Sequence, residues 1–322
     1  MQANRFAVWV LHTIPLAAGL GVLFGVVVLA PNDSWAQPVV PGTGQRVTKV
    51  GDDFEDPKWA YVFNLPKSSD ENDKQQRLPA GAAKNGRWYE GVMRGQPDVI
   101  ERVATPEGGI PGSTASLLLR SQQTGVPGTF SGQNQQDDLI VDVNSRLGGP
   151  IPVSWSPSAV VRVYLPPWDQ WEQRVGTSFG FRAACQAYTT KKGGLFRSSG
   201  PKLETYWPGM FIQYNKADAR TSPSATLVMR AGPSGHDFAG PRISSPGWWT
   251  LGMSFSPDGQ VHYYAHPGVE DITAEDHISS QSPYGFRCER LDAVFFNVVN
   301  GDNGNWSTSW IIDDPTLYYN RR

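Results

Sequence analysis

The 322-residue chain holds 34 Gly and 26 Pro, a density of bending and fixing residues that argues against a mostly helical protein. With 39% hydrophobic, 11% aromatic and 18% charged residues it is too apolar for a disordered chain, so one sizeable core is expected. A formal charge of −2 leaves no basic field for a phosphate backbone, which excludes a dedicated nucleic-acid binder and favours neutral, hydrated partners. The 12 Trp and 11 Tyr suit sugar-stacking or interface surfaces, and equally the core of a large β-sandwich.

Arg5 precedes an uncharged, largely apolar run over residues 6–30, and Ser34-Trp35-Ala36 then offers small residues where a signal peptidase reads. Residues 1–36 are therefore expected to be a secretory signal. An uncleaved N-terminal membrane anchor is the alternative, because the apolar run is long enough to span a bilayer. Either way the remainder is expected to be exported, to the periplasm, the cell surface or the medium, and to meet a membrane only through this segment. Cys185 and Cys288 would then sit in an oxidising compartment, where a disulfide between them is allowed and two buried thiols are the alternative. No Cys-x-x-Cys or His-x3-His spacing exists, which argues against zinc.

Residues 37–50 read as a Pro/Gly/polar linker, and residues 51–322 as one domain without repeats or a shift in composition. Within it, short runs alternate apolar and polar with a period of two, at 160–165, 178–188, 210–215, 226–231, 248–255, 261–266 and 292–299. In the 178–188 run, Phe179, Phe181, Ala183 and Cys185 share one face while Arg182, Gln186 and Tyr188 share the other. The ring-bearing face is expected to be the core face, since burying Arg182 and Gln186 would require full pairing. Pro257-Asp258-Gly259 between two runs signals a hairpin. Polar stretches at 64–86, 122–137, 189–204 and 232–247 are expected to be loops rimming a binding face. The expected fold is all-β, two antiparallel sheets packed as a sandwich.

The chain opens this domain with Gly51-Asp-Asp-Phe-Glu-Asp56, carries Gly247-Trp-Trp-Thr-Leu-Gly and the Pro-Asp-Gly turn before Gln260-Val-His-Tyr-Tyr264, and ends Trp310-Ile-Ile-Asp-Asp-Pro-Thr-Leu-Tyr-Tyr319. These segments resemble the concanavalin A-like lectin/glucanase superfamily, in its polysaccharide-lyase-like or LamG-like forms. The resemblance implies a jelly-roll β-sandwich whose concave face holds a carbohydrate chain, in members that are lectins, glycoside hydrolases or polysaccharide lyases. Fold alone does not choose among them.

Three site readings follow. In a lyase, donors neutralise a uronate carboxylate, a base removes the acidified proton and an acid serves the leaving oxygen. Gln260-Val261-His262 resembles the Gln-(Ile/Val)-His motif of alginate-lyase-like enzymes, which implies His262 and Tyr264 as catalytic residues, with His266 on the same face. Arg182, Gln186, Gln213 and Arg230 lie on polar strand faces and are the candidate carboxylate contacts. The chain has neither an Arg-(Thr/Ser)-Glu-Leu segment nor a Tyr-Phe-Lys-x-Gly-x-Tyr strand. A non-catalytic glycan-binding or structural envelope protein needs only platforms and donors. Trp168, Trp171, Trp207, Trp248 and Tyr264 offer the platforms, with Arg162 and Asn297 as donors. Trp168 and Trp171, following Leu165-Pro-Pro167, are expected to be an exposed pair. A retaining glucanase would show Glu-x-Asp-x-Glu on one strand, whereas Glu270 and Asp271 are adjacent and face opposite ways. Carboxylates at the two ends, with Asp53, Glu55 and Asp313 as ligands, suit a structural Ca²⁺. The expected partner is a polysaccharide and the expected state a monomer.

Overall fold

The computed structural model describes residues 38–74, 76–189 and 201–321. The expected signal or anchor, residues 1–36, lies outside them, as does most of the expected 189–204 loop.

Two antiparallel sheets form the sandwich. One has eight strands, in the order His277–Gln281, Val261–Pro267, Gly247–Phe255, Ser158–Leu165, Trp310–Tyr319, Ala115–Arg120 and Val99–Ala104, with Gln45–Gly51 also paired to Trp310–Tyr319. The other has eleven. Its main path is Asp237–Ile243, Ser224–Arg230, Gly209–Asn215, Gly176–Thr189, Arg290–Asn300, Gln135–Asp142, Tyr89–Glu90, Ala82–Ala83 and Tyr61–Val62. Lys202–Tyr206 joins the Gly176–Thr189 strand, and Ile151–Pro152 joins Arg290–Asn300.

Alternation along the strands builds the core. Phe179, Phe181, Ala183 and Cys185 all point inward and are fully buried, as the ring-bearing face of that run predicts. Register with the next strand sets Phe181 opposite Phe296, and the two rings stack with centroids 5.6 Å apart. Val161, Val163, Leu251, Met253, Tyr263 and Ile312 close the core from the eight-stranded sheet. Ser256 N donates to Gln260 O at 3.1 Å, and Gly259 takes φ +82° to complete the hairpin over the Pro-Asp-Gly sequence.

Two boundaries differ from expectation. The 37–50 linker shrinks, because Gln45–Gly51 pairs with Trp310–Tyr319 and buries Val47 and Val50 in the core. Val47 and Val50 are three positions apart, and with a register shift between Arg46 and Gly51 both are buried, which hides the period of two. The 232–247 stretch is likewise no simple loop, since Asp237–Ile243 pairs with Ser224–Arg230.

The 64–86 stretch is a loop with a short helix at Asp70–Asp73, and it is pinned by two buried charges. Lys67 Nζ lies 2.6 Å from Asp137 Oδ2 and 3.0 Å from Asp98 Oδ1. Burial opposes the Lys67 charge, but the Asp137 and Asp98 carboxylates prevail and raise its pKa. Glu90 accepts from Asn64 Nδ2 at 2.7 Å, Ala80 N at 3.0 Å and Gly81 N at 3.2 Å, and also from Ser68 N. These anchors set the loop beside the outer face of the eleven-stranded sheet.

Candidate functional site

A groove of about 1060 Å³ runs over that outer face. Its floor is the polar side of the strands whose other side makes the core: Arg182 and Ala184, Phe211, Ala293 and Phe295, Asp138 and Ile140. Pro79–Ala82 and Gly91–Arg94 form one wall, and Trp207, Arg230 and Tyr284 line it as well.

Arg182 is the centre of the floor. Its Cζ lies 5.3 Å from the Phe211 ring centroid and 5.2 Å from that of Phe295, so the guanidinium is held between two π faces. Nη2 donates to Trp207 O at 2.8 Å, and the buried Nε has no protein partner. Burial lowers the guanidinium to about 10, against the pull of Asp138, and it stays charged at neutral pH. Gly209 pairs with Arg182, and a Cβ at Gly209 would come 2.5 Å from Arg182 Cγ, so glycine is what lets this side chain lie flat.

Arg230 shares Phe211 with Arg182, its Cζ 5.1 Å from the ring. Both Asp237 oxygens accept from it and raise its pKa, while Nη1 donates to Tyr284 Oη at 3.3 Å. Asp138 Oδ1 accepts from Asn297 Nδ2 at 2.6 Å and Gln136 Nε2 at 2.9 Å, and burial raises the Asp138 pKa. The groove thus presents a cation, an amphipathic Trp, a phenol and a carboxyl with both hydrogen-bond donors on one oxygen.

The structure divides the sequence-derived candidates between two faces. Arg182 and Arg230 line the groove. Asn297 sits beneath it, fully buried against Asp138. Gln186 and Gln213 share that sheet face without lining the groove. Arg162, His262, Tyr264 and His266 are elsewhere, on the outer face of the eight-stranded sheet, so a site joining His262 to Arg182 does not exist. The reason is connectivity: alternation assigns a side chain to a face of its strand, and strand order decides which sheet that face belongs to.

On that second face the candidates are engaged by their neighbours. Arg162 Nη2 pairs with Asp271 Oδ1 at 2.7 Å and its Nε donates to Val269 O at 3.2 Å. His266 Nδ1 lies 2.8 Å from Asp276 Oδ1. His262 is buried between Ser280 Oγ, 2.6 Å from Nδ1, and Ser256 Oγ, 2.7 Å from Nε2. Tyr264 is 1% exposed, against His277.

The expected exposed Trp pair is corrected too. Trp171 is buried, its Nε1 donating to Pro166 O at 2.8 Å and its ring stacked 5.1 Å from Tyr214 and edge-on 4.9 Å from Trp310. Trp168 is half-buried against it. The prolines end the strand as expected, but the short helix Trp168–Gln170 turns both rings inward, where burial favours them.

The terminal carboxylates form hydrogen-bond networks. Glu55 accepts from Thr114 N at 2.8 Å and Ala115 N at 3.1 Å, and the Thr114 hydroxyl and amide hold it down to about 2. Ser113 Oγ donates to Asp313 Oδ2 at 2.8 Å, and burial pushes Asp313 up to about 6. Asp53 accepts from Glu55 N at 3.2 Å and joins neither. Among the described residues, no three His, Cys, Asp or Glu side chains are grouped to hold a metal ion. Cys185 and Cys288 are unbonded, buried neighbours; burial, then the Cys288 thiol, lifts the Cys185 pKa.

Asp138, Phe211, Tyr284 and Phe295 are among the groove residues that sequence reasoning missed. For Asp138 a signal existed: alternation in Gln135-Gln-Asp-Asp-Leu-Ile-Val-Asp142 sets Asp138 and Ile140 opposite the core pair Leu139 and Val141. Tyr284 comes from an irregular turn at φ 60°, which no periodicity marks.

No protein-family model and no curated protein matches the sequence. Among solved structures, the chain is similar to a carbohydrate esterase from Shiga toxin-encoding bacteriophage phi24B, with 13% identity over 74% of this chain and 92% of that one, at a TM-score of 0.44. It is similar to the exoplasmic/lumenal domain of VIP36 in a Ca²⁺/Man3GlcNAc-bound form, with 9% identity over 74% and 85% at a TM-score of 0.37. An alginate lyase from Pseudomonas aeruginosa gives 7% identity over 70% and 87% at a TM-score of 0.37. At these scores the architecture rests on the strand order itself.

Proposed function

We propose that this protein is an exported carbohydrate-active sandwich that engages a polysaccharide along the groove on its eleven-stranded sheet. The observation that carries the reading is Arg182, a cation on the groove floor fixed between the Phe211 and Phe295 rings. A guanidinium already held in one orientation loses little side-chain freedom when it meets a carboxylate oxygen. Trp207, which is 43% exposed, offers a sugar-stacking face, and the neighbouring guanidinium favours acidic sugars over neutral ones.

The narrower version is β-elimination. Arg182 neutralises the uronate carboxylate, and the Tyr284 oxygen, positioned by Arg230 Nη1, takes the proton α to that carboxylate; the freed electron pair forms the C=C bond as the C–O bond breaks, and Tyr284 passes the same proton to the leaving oxygen. These roles replace those first assigned to His262 and Tyr264. Purified protein is incubated with uronate and neutral polysaccharides, following both depletion binding and ultraviolet absorbance of unsaturated ends. Retention by uronate polymers that Trp207→Ala reduces at least tenfold is the expected result. Absorbance growth abolished by Tyr284→Phe supports elimination, binding without absorbance means a glycan-binding module, and no retention by any polymer overturns the reading.

A further inference from the structure

The second face holds a polar chain that the groove does not use. Ser256 Oγ donates to the Asp258 carboxylate, His262 Nε2 lies 2.7 Å from the same Oγ, and His262 Nδ1 lies 2.6 Å from Ser280 Oγ. His277 Nε2 approaches Ser280 Oγ at 2.9 Å from the other side.

Donor inventory fixes every proton in this chain. An ionised carboxylate only accepts, so the single Ser256 hydroxyl proton belongs to Asp258. Ser256 Oγ can then only accept from His262, which places the ring proton on Nε2. His262 is neutral, because burial, and then His277, lower it to about 4. A neutral ring protonated at Nε2 leaves Nδ1 as an acceptor, and the Ser280 hydroxyl is the group that donates to it. His277 Nε2–H in turn donates to Ser280 Oγ.

We infer that Ser280 is the nucleophile of a second, hydrolytic site, with His262 as its base and Ser256 and Asp258 as positioning residues, acting on small carboxylic acyl esters. A serine hydroxyl is activated when a base accepts its proton and a third group fixes the base's tautomer and orientation. Here Ser256 carries that orienting role from Asp258 to the ring. The site is reachable: Ser280 is half-buried, and His277–Gln281 is the end strand of its sheet.

The chemistry balances with water as the only co-reactant. Ser280 Oγ bonds to the acyl carbon as its proton moves to His262 Nδ1, and His277 Nε2–H, 2.9 Å from Ser280 Oγ, is the donor assigned to the carbonyl oxygen. The ester C–O bond breaks, the alkoxide leaves with the proton from Nδ1, and the acyl group stays on Ser280. Water then adds to the acyl carbon, its proton passing through Nδ1 back to Ser280 Oγ, and a carboxylic acid departs.

The test uses purified full-length protein, a fluorophosphonate probe and p-nitrophenyl acetate, with intact-mass and peptide mapping. One probe adduct at Ser280 is expected, formed at least tenfold faster than any adduct on Ser280→Ala or heat-denatured protein, with acetate ester hydrolysis lost in Ser280→Ala. Ser256→Ala removes the acceptor that holds the ring proton on Nε2 and leaves Asp258 as the turn acceptor for Gln260 N, so labelling should slow at least tenfold while the circular dichroism spectrum is kept. Labelling of the native protein no faster than of Ser280→Ala or of denatured protein overturns the inference, as does a Ser256→Ala variant that labels at the native rate. None of these readouts involves a glycan, so they stand apart from any result in the groove.

Discussion

Arg182 lies across Phe211, its Cζ 5.3 Å from the ring centroid, and this one ring also carries Arg230 at 5.1 Å. Phe211 therefore sets the spacing of two guanidinium groups at the groove. Phe211→Leu keeps an apolar side chain and removes the π face, a cation–π loss of about 0.5–2 kcal/mol for each guanidinium. Uronate-polymer affinity should fall roughly tenfold, as a free-energy change of about 1.4 kcal/mol implies. Depletion binding measures it, and unchanged affinity would remove Phe211 from the groove's function.

Phe181 is fully buried and stacked on Phe296. Phe181→Ala should cost about 3–5 kcal/mol in urea unfolding, from lost transfer energy and a residual cavity. A loss below about 1 kcal/mol contradicts the inward orientation of that strand.

Lys67 is the buried cation between Asp137 and Asp98. Lys67→Met strands the carboxylates and should destabilise the protein by about 3–5 kcal/mol, with Lys67→Met/Asp137→Leu recovering much of that. Equal loss in the single and double variants would show that the methylene stem, and not the charge balance, matters at this site.

His262 gives a pH signature. Its folded value of about 4 lies below the ordinary 6.5, so the unfolded chain takes up the proton first as pH falls. The stability from neutral His262 is complete above 6.5 and is lost as pH falls toward 4. Asp313, raised to about 6, works in the opposite sense, losing stability as pH rises through that value. The difference in unfolding free energy between wild type and His262→Gln isolates the histidine. That gap should narrow steadily from pH 7 to pH 4, and a pH-independent gap would falsify the buried neutral assignment.

The Cys185 and Cys288 thiols are buried side by side, and burial raises the Cys185 pKa. Aromatic disulfide reagents should therefore leave reduced native protein unmodified and titrate two thiols after urea is added. Rapid modification of the native state would place either thiol at the surface.

Sequence by itself determined the class of fold and the facing of each long strand. The period of two in the 178–188 run sends Phe179 and Phe181 to the core and Arg182 to the outer face, because a strand has only two sides. Arg182 and Arg230 were legible as outward-facing polar residues for the same reason, and both line the groove. Sequence also located the Gly259 hairpin, since its positive φ is a local demand. What only the tertiary structure decided is which outer faces coincide. His262 and Arg182 both lie on outward polar faces, yet the order of strands puts them on different sheets with the core between them. Tyr284 and Asp138 meet Arg182 at one groove through a turn and a strand distant in the chain, and Trp171 folds inward because Tyr214 and Trp310 offer it aromatic partners there. Such neighbours are set by long-range pairing, which no local period encodes.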